Sequence, residues 1–198
     1  MFRRSLSFAS NFILVISLVL RSMSALVIIS GTNREEALTP TVANTYLKIA
    51  KEAGFDAEII DLRELPDDYL SSALYENAGK NEEFNEFRQM MKQAKKFVFV
   101  IPEYNGSFPG VVKAFIDGLE FPGTFRGKKA ALVGVSSGMI GGAHAMSHLT
   151  DILNYCGTHI LARKPRFTKI SSNLSSGSII NESYIDQIRK QVLELKEF

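Results

Sequence analysis

The run from Phe97 to Ile101 is apolar at every position, and Pro102 breaks it. The stretch Pro102-Glu103-Tyr104-Asn105-Gly106-Ser107-Phe108-Pro109-Gly110 comes next, and then the helical pattern Val111 to Asp117. A strand without polar alternation is buried on both faces, which requires a parallel sheet covered by helices. Pro102 and Pro109 therefore bound a tight loop between the carboxyl end of a buried strand and a helix start. Open α/β sheets take their ligands at such loops. This one offers a ring, an amide and exposed backbone N–H groups, a surface suited to a flat, polar heterocycle.

The same unit recurs along the chain. Ala25 to Ile29 is aliphatic throughout, followed by Ser30-Gly31-Thr32-Asn33-Arg34 and a helix with Val42, Tyr46, Ile49 and Ala50 on one face. Thr39 is expected to cap that helix, with Pro40 at its first position. A loop of hydroxyls, an amide and an arginine ending on a helix amino terminus makes an anion pocket that would hold a phosphomonoester. Gly54 ends the helix and Ala57 to Asp61 reads as the second strand, closing a βαβ unit. Leu65 to Gly79 reads as a surface excursion, and Phe84, Phe87, Met91 and Ala94 recur at helical spacing as core contacts. The fourth strand, Ala130 to Val135, leads into Ser136-Ser137-Gly138-Met139-Ile140-Gly141-Gly142, whose glycines permit close approach of a ligand. A helix with Met146, Leu149, Ile152 and Leu153 follows. Thr158 to Ala162 is the expected fifth strand, with Arg166 to Ile170 a short extension. Ser171 to Ser178 reads as a flexible polar connector before a last helix carrying Ile185, Ile188, Val192 and Leu195. The pattern predicts an α/β three-layer sandwich around a five-stranded parallel sheet.

Composition removes several function classes. The 198 residues suit one domain, and a net charge of +2 provides no broad field for nucleic acid or an anionic membrane. Cys156 is the lone cysteine, so neither an internal disulfide nor a cysteine metal cluster is available. His144 and His148 lie four apart on one helix, but without a third ligand they read as surface or capping residues, and no metal is expected.

At the amino terminus, Arg3 and Arg4 precede an apolar stretch from Leu6 to Leu20 that is short for a membrane span. We read residues 1–22 as an extension ahead of a start at Met23, with residues 23–198 as the folded domain in a cytoplasmic, reducing setting. The alternative is an exported protein, residues 1–24 being a signal peptide. A second alternative concerns chemistry: Gly134-Val135-Ser136-Ser137-Gly138 fits a hydrolase nucleophile elbow, with Asp151 and His159 following in the order Ser, Asp, His.

The run Pro-Glu-Tyr-Asn-Gly-Ser-Phe-Pro-Gly followed by Val-Lys-Ala-Phe-Ile-Asp resembles the flavin loop of the NADPH-dependent FMN reductase family. Ser30 to Arg34 and Ser136 to Gly142 fall at matching distances, so the resemblance covers Ala25 to Phe167. It implies a flavodoxin-like fold with strand order 2-1-3-4-5, FMN as cofactor and NADPH or NADH as co-substrate. It also implies a small-molecule electron acceptor and a homodimer or homotetramer, with no membrane role for the folded domain. The family's phosphate pattern maps onto Gly31, Thr32, Arg34, Ala37 and Thr39, with Ala37 standing where a serine is usual. Cofactor contacts are accordingly expected from Thr32, Arg34 and Thr39 at the phosphate; Pro102, Glu103, Tyr104, Asn105 and Gly106 along the ring; and Ser136, Ser137, Gly138 and Gly141 on its other side, with no catalytic side chain required. A non-enzymatic flavodoxin-type carrier is the alternative within the fold, although such carriers are usually acidic and this chain is not.

Overall fold

The computed structural model describes residues 26–198, so the extension and the expected start at Met23 lie outside the described residues. The sheet is built from β1 (Leu26–Ser30), β2 (Ala57–Asp61), β3 (Lys96–Pro102), β4 (Lys129–Val135) and two dipeptide strands, β5 (His159–Ile160) and β6 (Arg166–Phe167). All pairings are parallel, in the order β2-β1-β3-β4-β5, with β6 also on β4. This is the doubly wound flavodoxin-like order. Helices α1 (Thr39–Glu52), α2 (Tyr69–Ser72), α3 (Glu82–Gln93), α4 (Gly110–Asp117), α5 (Ala143–Tyr155) and α6 (Glu182–Glu197) cover it.

The unbroken apolar runs are explained by two cores, one on each face of the sheet. Val27, Ile29, Phe97, Phe99 and Leu132 point toward α3, α4 and α5, while Leu26, Ile28, Val98, Val100 and Val133 point toward α1 and α6. Each large side chain so buried stabilises the fold by roughly 1.5–3 kcal/mol relative to exposure.

Pro102 extends β3 by a residue beyond the expected stop, pairing with Val135. The extension is tolerated because β1 ends opposite Val100, leaving no strand on the side where the missing N–H would point. The fifth strand departs further from expectation. β5 pairs with Lys129 and Ala130, β6 pairs with Gly134 and Val135, and the chain leaves the sheet between them. In the gap, Nε2 of buried Gln191 donates to the carbonyls of Leu132 at 3.0 Å and Arg163 at 2.7 Å. An amide from α6 thus satisfies a backbone acceptor that a continuous strand would otherwise have met.

The expected flexible connector, Ser171 to Ser178, is in fact structured. It continues a 3-10 turn (Ile170–Asn173) into an antiparallel hairpin of β7 (Leu174–Ser175) and β8 (Ser178–Ile179). Ser176 and Gly177 both carry positive φ, 48° and 73°, as a two-residue hairpin turn requires. Leu65 to Gly79 is an excursion as expected, holding the one-turn α2 and burying Leu65, Tyr69, Ala73 and Leu74 against the core.

Candidate functional site

The loops after β1, β3 and β4 meet at the carboxyl ends of three adjacent strands and enclose a cleft of about 270 Å³. Arg34, Thr39, Pro102, Glu103, Tyr104, Ser136 and Ser137 line it together with Glu36, Ala37, Leu38, Val135 and Ile170. Sequence reading thus brings most of its candidates to one place. Asn105 and Gly106 sit at the exposed tip of the second loop, and Gly138 at the exposed turn of the third.

In the first loop the close approach of β1 to β3 is made possible by Gly31, where a Cβ would lie 2.7 Å from Ile101 and 2.9 Å from the Val100 carbonyl. Thr32 is fully buried, and its hydroxyl lies 2.9 Å from the Tyr104 hydroxyl while accepting from the Arg34 N–H at 3.2 Å. It therefore joins the first loop to the second instead of lining the cleft. The expected Thr39 cap is not formed. Leu38 holds the N-cap position, no side chain caps α1, Thr39 opens the helix and Pro40 follows it. The first-turn N–H groups are left for another acceptor beside the exposed Arg34.

The second loop is a miniature hairpin. Tyr104 and Ser107 exchange backbone bonds of 2.8 and 3.1 Å around Asn105 and Gly106, whose φ values of 52° and 74° are those of a type I′ turn. Asn-Gly is the sequence best suited to that geometry. Glu103 lines the cleft but its carboxylate turns to α5, Oε2 accepting from the His144 N–H at 3.2 Å in the first turn of that helix. The α5 amino terminus is therefore already occupied by a carboxylate, whereas that of α1 is open. An anion entering the cleft is drawn to α1 and Arg34, leaving the α5 end to Glu103.

The third loop folds on itself. Ser136 Oγ donates to the Gly138 carbonyl at 3.1 Å and accepts from the Gly141 N–H at 3.0 Å. Gly141 and Gly142 are buried and do not face the cleft. A Cβ on Gly141 would meet Arg166, and one on Gly134 would lie 2.2 Å from the Gly141 carbonyl oxygen. These glycines serve chain-on-chain packing; the open space expected for a ligand is found at Gly138, where a Cβ would meet nothing within 4 Å. The loop is braced from outside by Ser136 N–H to Phe167 O, Lys169 N–H to Gly138 O and Ile170 N–H to Ser136 O, all between 2.9 and 3.0 Å. Sequence reading missed Ile170 as a cleft residue, because a contact from a later segment onto an earlier loop has no local signature.

The hydrolase alternative fails on this geometry. Ser136 stands at the carboxyl end of β4, while His159 pairs with Lys129 at its start, about 20 Å away at some 3.3 Å per residue. Asp151 lines a different groove. Among the described residues no group of three metal-ligating side chains exists, and no helix is long and apolar enough to cross a membrane.

That other groove is larger, about 490 Å³, and lies between the carboxyl ends of α4 and α5, away from the three loops. Its lining is mostly apolar, with Ile116, Leu119, Phe125 and Ile152 behind the exposed, stacked rings of Phe121 and Tyr155. It offers no open helix amino terminus, and its cation, Lys113, is already paired with Asp117 at 2.6 Å. Size notwithstanding, the smaller cleft has the donors and the loop convergence of a binding site.

Comparison with known proteins identifies the family. The sequence model of the NADPH-dependent FMN reductase family matches residues 24–168. A 2-hydroxy-1,4-benzoquinone reductase from a Burkholderia species is 28% identical over 160 residues, covering 78% of this chain and 85% of the relative. A quinone reductase of Escherichia coli is 30% identical over 175 residues, covering 85% and 91%. Among solved structures, an NAD(P)H:(acceptor) oxidoreductase flavoenzyme from Paracoccus denitrificans superposes with a TM-score of 0.70 at 22% identity, covering 88% of this chain and 96% of that one; at that identity it speaks to the fold alone.

Proposed function

The chain belongs to the NADPH-dependent FMN reductase family, and on that footing we propose that it is an FMN-containing oxidoreductase that passes electrons from NAD(P)H to a small-molecule acceptor such as a quinone, a flavin or an azo compound. The observation that carries this reading is the convergence in one cleft of a helix start without a side-chain cap, of Arg34, which has no salt bridge among the described residues, and of the loops after β3 and β4. The donor set suits FMN at both ends. The open α1 terminus, Arg34 and the Thr39 hydroxyl meet a phosphate dianion with charge and N–H groups. The Asn105-Gly106 turn and the Ser136 to Gly138 turn offer amides and hydroxyls to a planar heterocycle.

FMN, when bound, would supply the redox chemistry itself, a hydride from NAD(P)H being passed on to the next substrate as two electrons and a proton. The chain's residues do the rest. Thr32 and Tyr104 tie the phosphate loop to the ring loop, Glu103 fastens the ring loop to α5, and Phe167 to Ile170 brace the far wall. Because NAD(P)H and the acceptor would stack on the same exposed face of the ring, one must leave before the other can reach it, which gives a ping-pong sequence.

The protein is further inferred to be cytoplasmic and to assemble as a homodimer or homotetramer. The exposed Phe121–Tyr155 stack over the apolar groove supports self-association, since a monomer would leave those rings in water. Sedimentation of the purified protein measures this. The function is tested by the absorption spectrum of the fresh protein and by steady NADPH oxidation with a soluble quinone. A folded, colourless protein that takes up no added FMN would refute it, and uptake without turnover would favour a carrier.

A further inference from the structure

The cleft's second loop is held on three sides, and only two of those attachments involve residues expected at the site. Tyr104 reaches Thr32 on one flank and Glu103 reaches the His144 N–H on another. The third attachment is a hydrogen bond of 2.9 Å between Ser107 Oγ and His148 Nδ1, one helical turn along α5 from His144. Ser107 is also the closing residue of the miniature hairpin, exchanging both backbone bonds with Tyr104. Whatever orients Ser107 therefore orients the Asn105-Gly106 turn directly above it.

A two-residue hairpin with a single bridge is too small to hold its shape without tethers. Its Tyr104 side is anchored toward β1. On the Ser107 side Phe108 packs against the core, but it lies beyond the bridge; among the described residues His148 gives Ser107 its side-chain hydrogen bond, so without it the tip could pivot between Tyr104 and Phe108 and carry Asn105 away from the cleft. Resting on the proposed function, we infer that His148 is a positioning residue: through Ser107 it fixes the Asn105-Gly106 tip at the height where a bound flavin ring would meet it. His148 is exposed and outside the cleft lining, so it does not itself touch the cofactor. The role explains why an exposed imidazole faces this loop, and it gives one of the two histidines spaced four apart a function other than binding metal.

The bond uses Nδ1, and this provides a discriminating test. Asparagine places an amide atom close to the Nδ1 position, whereas leucine fills similar space without a polar atom. His148→Leu and Ser107→Ala should each weaken FMN binding to the apoprotein by roughly 3- to 10-fold, the range for one lost hydrogen bond. The measurement is quenching of flavin fluorescence on titration. His148→Asn should recover affinity to within about twofold, and the double variant His148→Leu/Ser107→Ala should be no weaker than either single one. In apoprotein without FMN, hydrogen exchange of residues 104–107 should speed up in His148→Leu and Ser107→Ala and return toward the wild-type rate in His148→Asn. That readout is independent of cofactor chemistry. Wild-type exchange rates and affinity in both His148→Leu and Ser107→Ala would overturn the inference, as would fully additive losses. Altered exchange with no FMN binding even by wild type would leave the tether standing and defeat the flavin reading instead.

Discussion

The crossing of Gly134 beneath Gly141 and Gly142 is the tightest backbone contact near the cleft, and its disruption can be worked through. In Gly134→Ala the new Cβ would lie 2.2 Å from the Gly141 carbonyl oxygen and 2.8 Å from the Met146 methyl. Met146 can swing aside at little cost. The carbonyl cannot, because Gly141 and the next residue, at φ of 66° and 74°, pack directly on Gly134 and Arg166. Relief demands a backbone movement of about 1 Å, which places the cost at the upper end of the 1–3 kcal/mol typical of overpacking. For a chain of this length about 2–3 kcal/mol corresponds to a fall in Tm of about 5–10 °C. The displacement also pulls the Gly141 N–H from Ser136 Oγ, so FMN affinity should fall along with stability. Thermal unfolding of the apoprotein by circular dichroism, with flavin titration beside it, measures both. Gly138→Ala is the control, since a Cβ there meets nothing within 4 Å and should change Tm by less than about 2 °C. A Gly134→Ala protein with unchanged Tm and unchanged affinity would refute the packing argument.

Arg34→Ala should weaken FMN binding by about 1.5–3 kcal/mol, toward the lower figure because the guanidinium is exposed, and unchanged affinity would mean that another group holds the phosphate. Tyr46 is fully buried, its hydroxyl without a partner among the described residues, and burial pushes its pKa far above the ordinary tyrosine range, so Tyr46→Phe should stabilise the fold by about 1 kcal/mol and raise Tm by about 2–4 °C. Partial burial lowers the Lys128 pKa to about 8 from 10.5. Between those values the unfolded chain binds more protons than the folded one, so Lys128 adds stability as pH rises through this window. Urea midpoints from pH 7.5 to 10.5 should therefore climb less in Lys128→Met than in wild type.

The buried strands were legible because an apolar run with no alternation has few structural solutions, and the Asn105-Gly106 turn because few other residue pairs tolerate two positive φ angles. By the same token the β7–β8 hairpin could have been read from Ser176-Gly177, but strands of two residues carry no periodicity to draw attention to them. Thr39 was misplaced for a physical reason: a hydroxyl before proline suits a cap, yet Leu38 takes that position and the helix starts one residue earlier than expected. The brace from Phe167 to Ile170 and the bond from His148 to Ser107 were illegible because they join segments about 30 and 40 residues apart, a relation set by the completed sheet.

The broken fifth strand has a consequence for how the molecule behaves in a crowded solution. An exposed sheet margin is a template on which a foreign chain can zip. Here that margin offers two dipeptides separated by a detour, with the intervening Leu132 acceptor taken by Gln191. An invading strand finds no run of consecutive partners, and Arg163, Lys164 and Arg166 add charge along the detour, so this flank resists polymerisation.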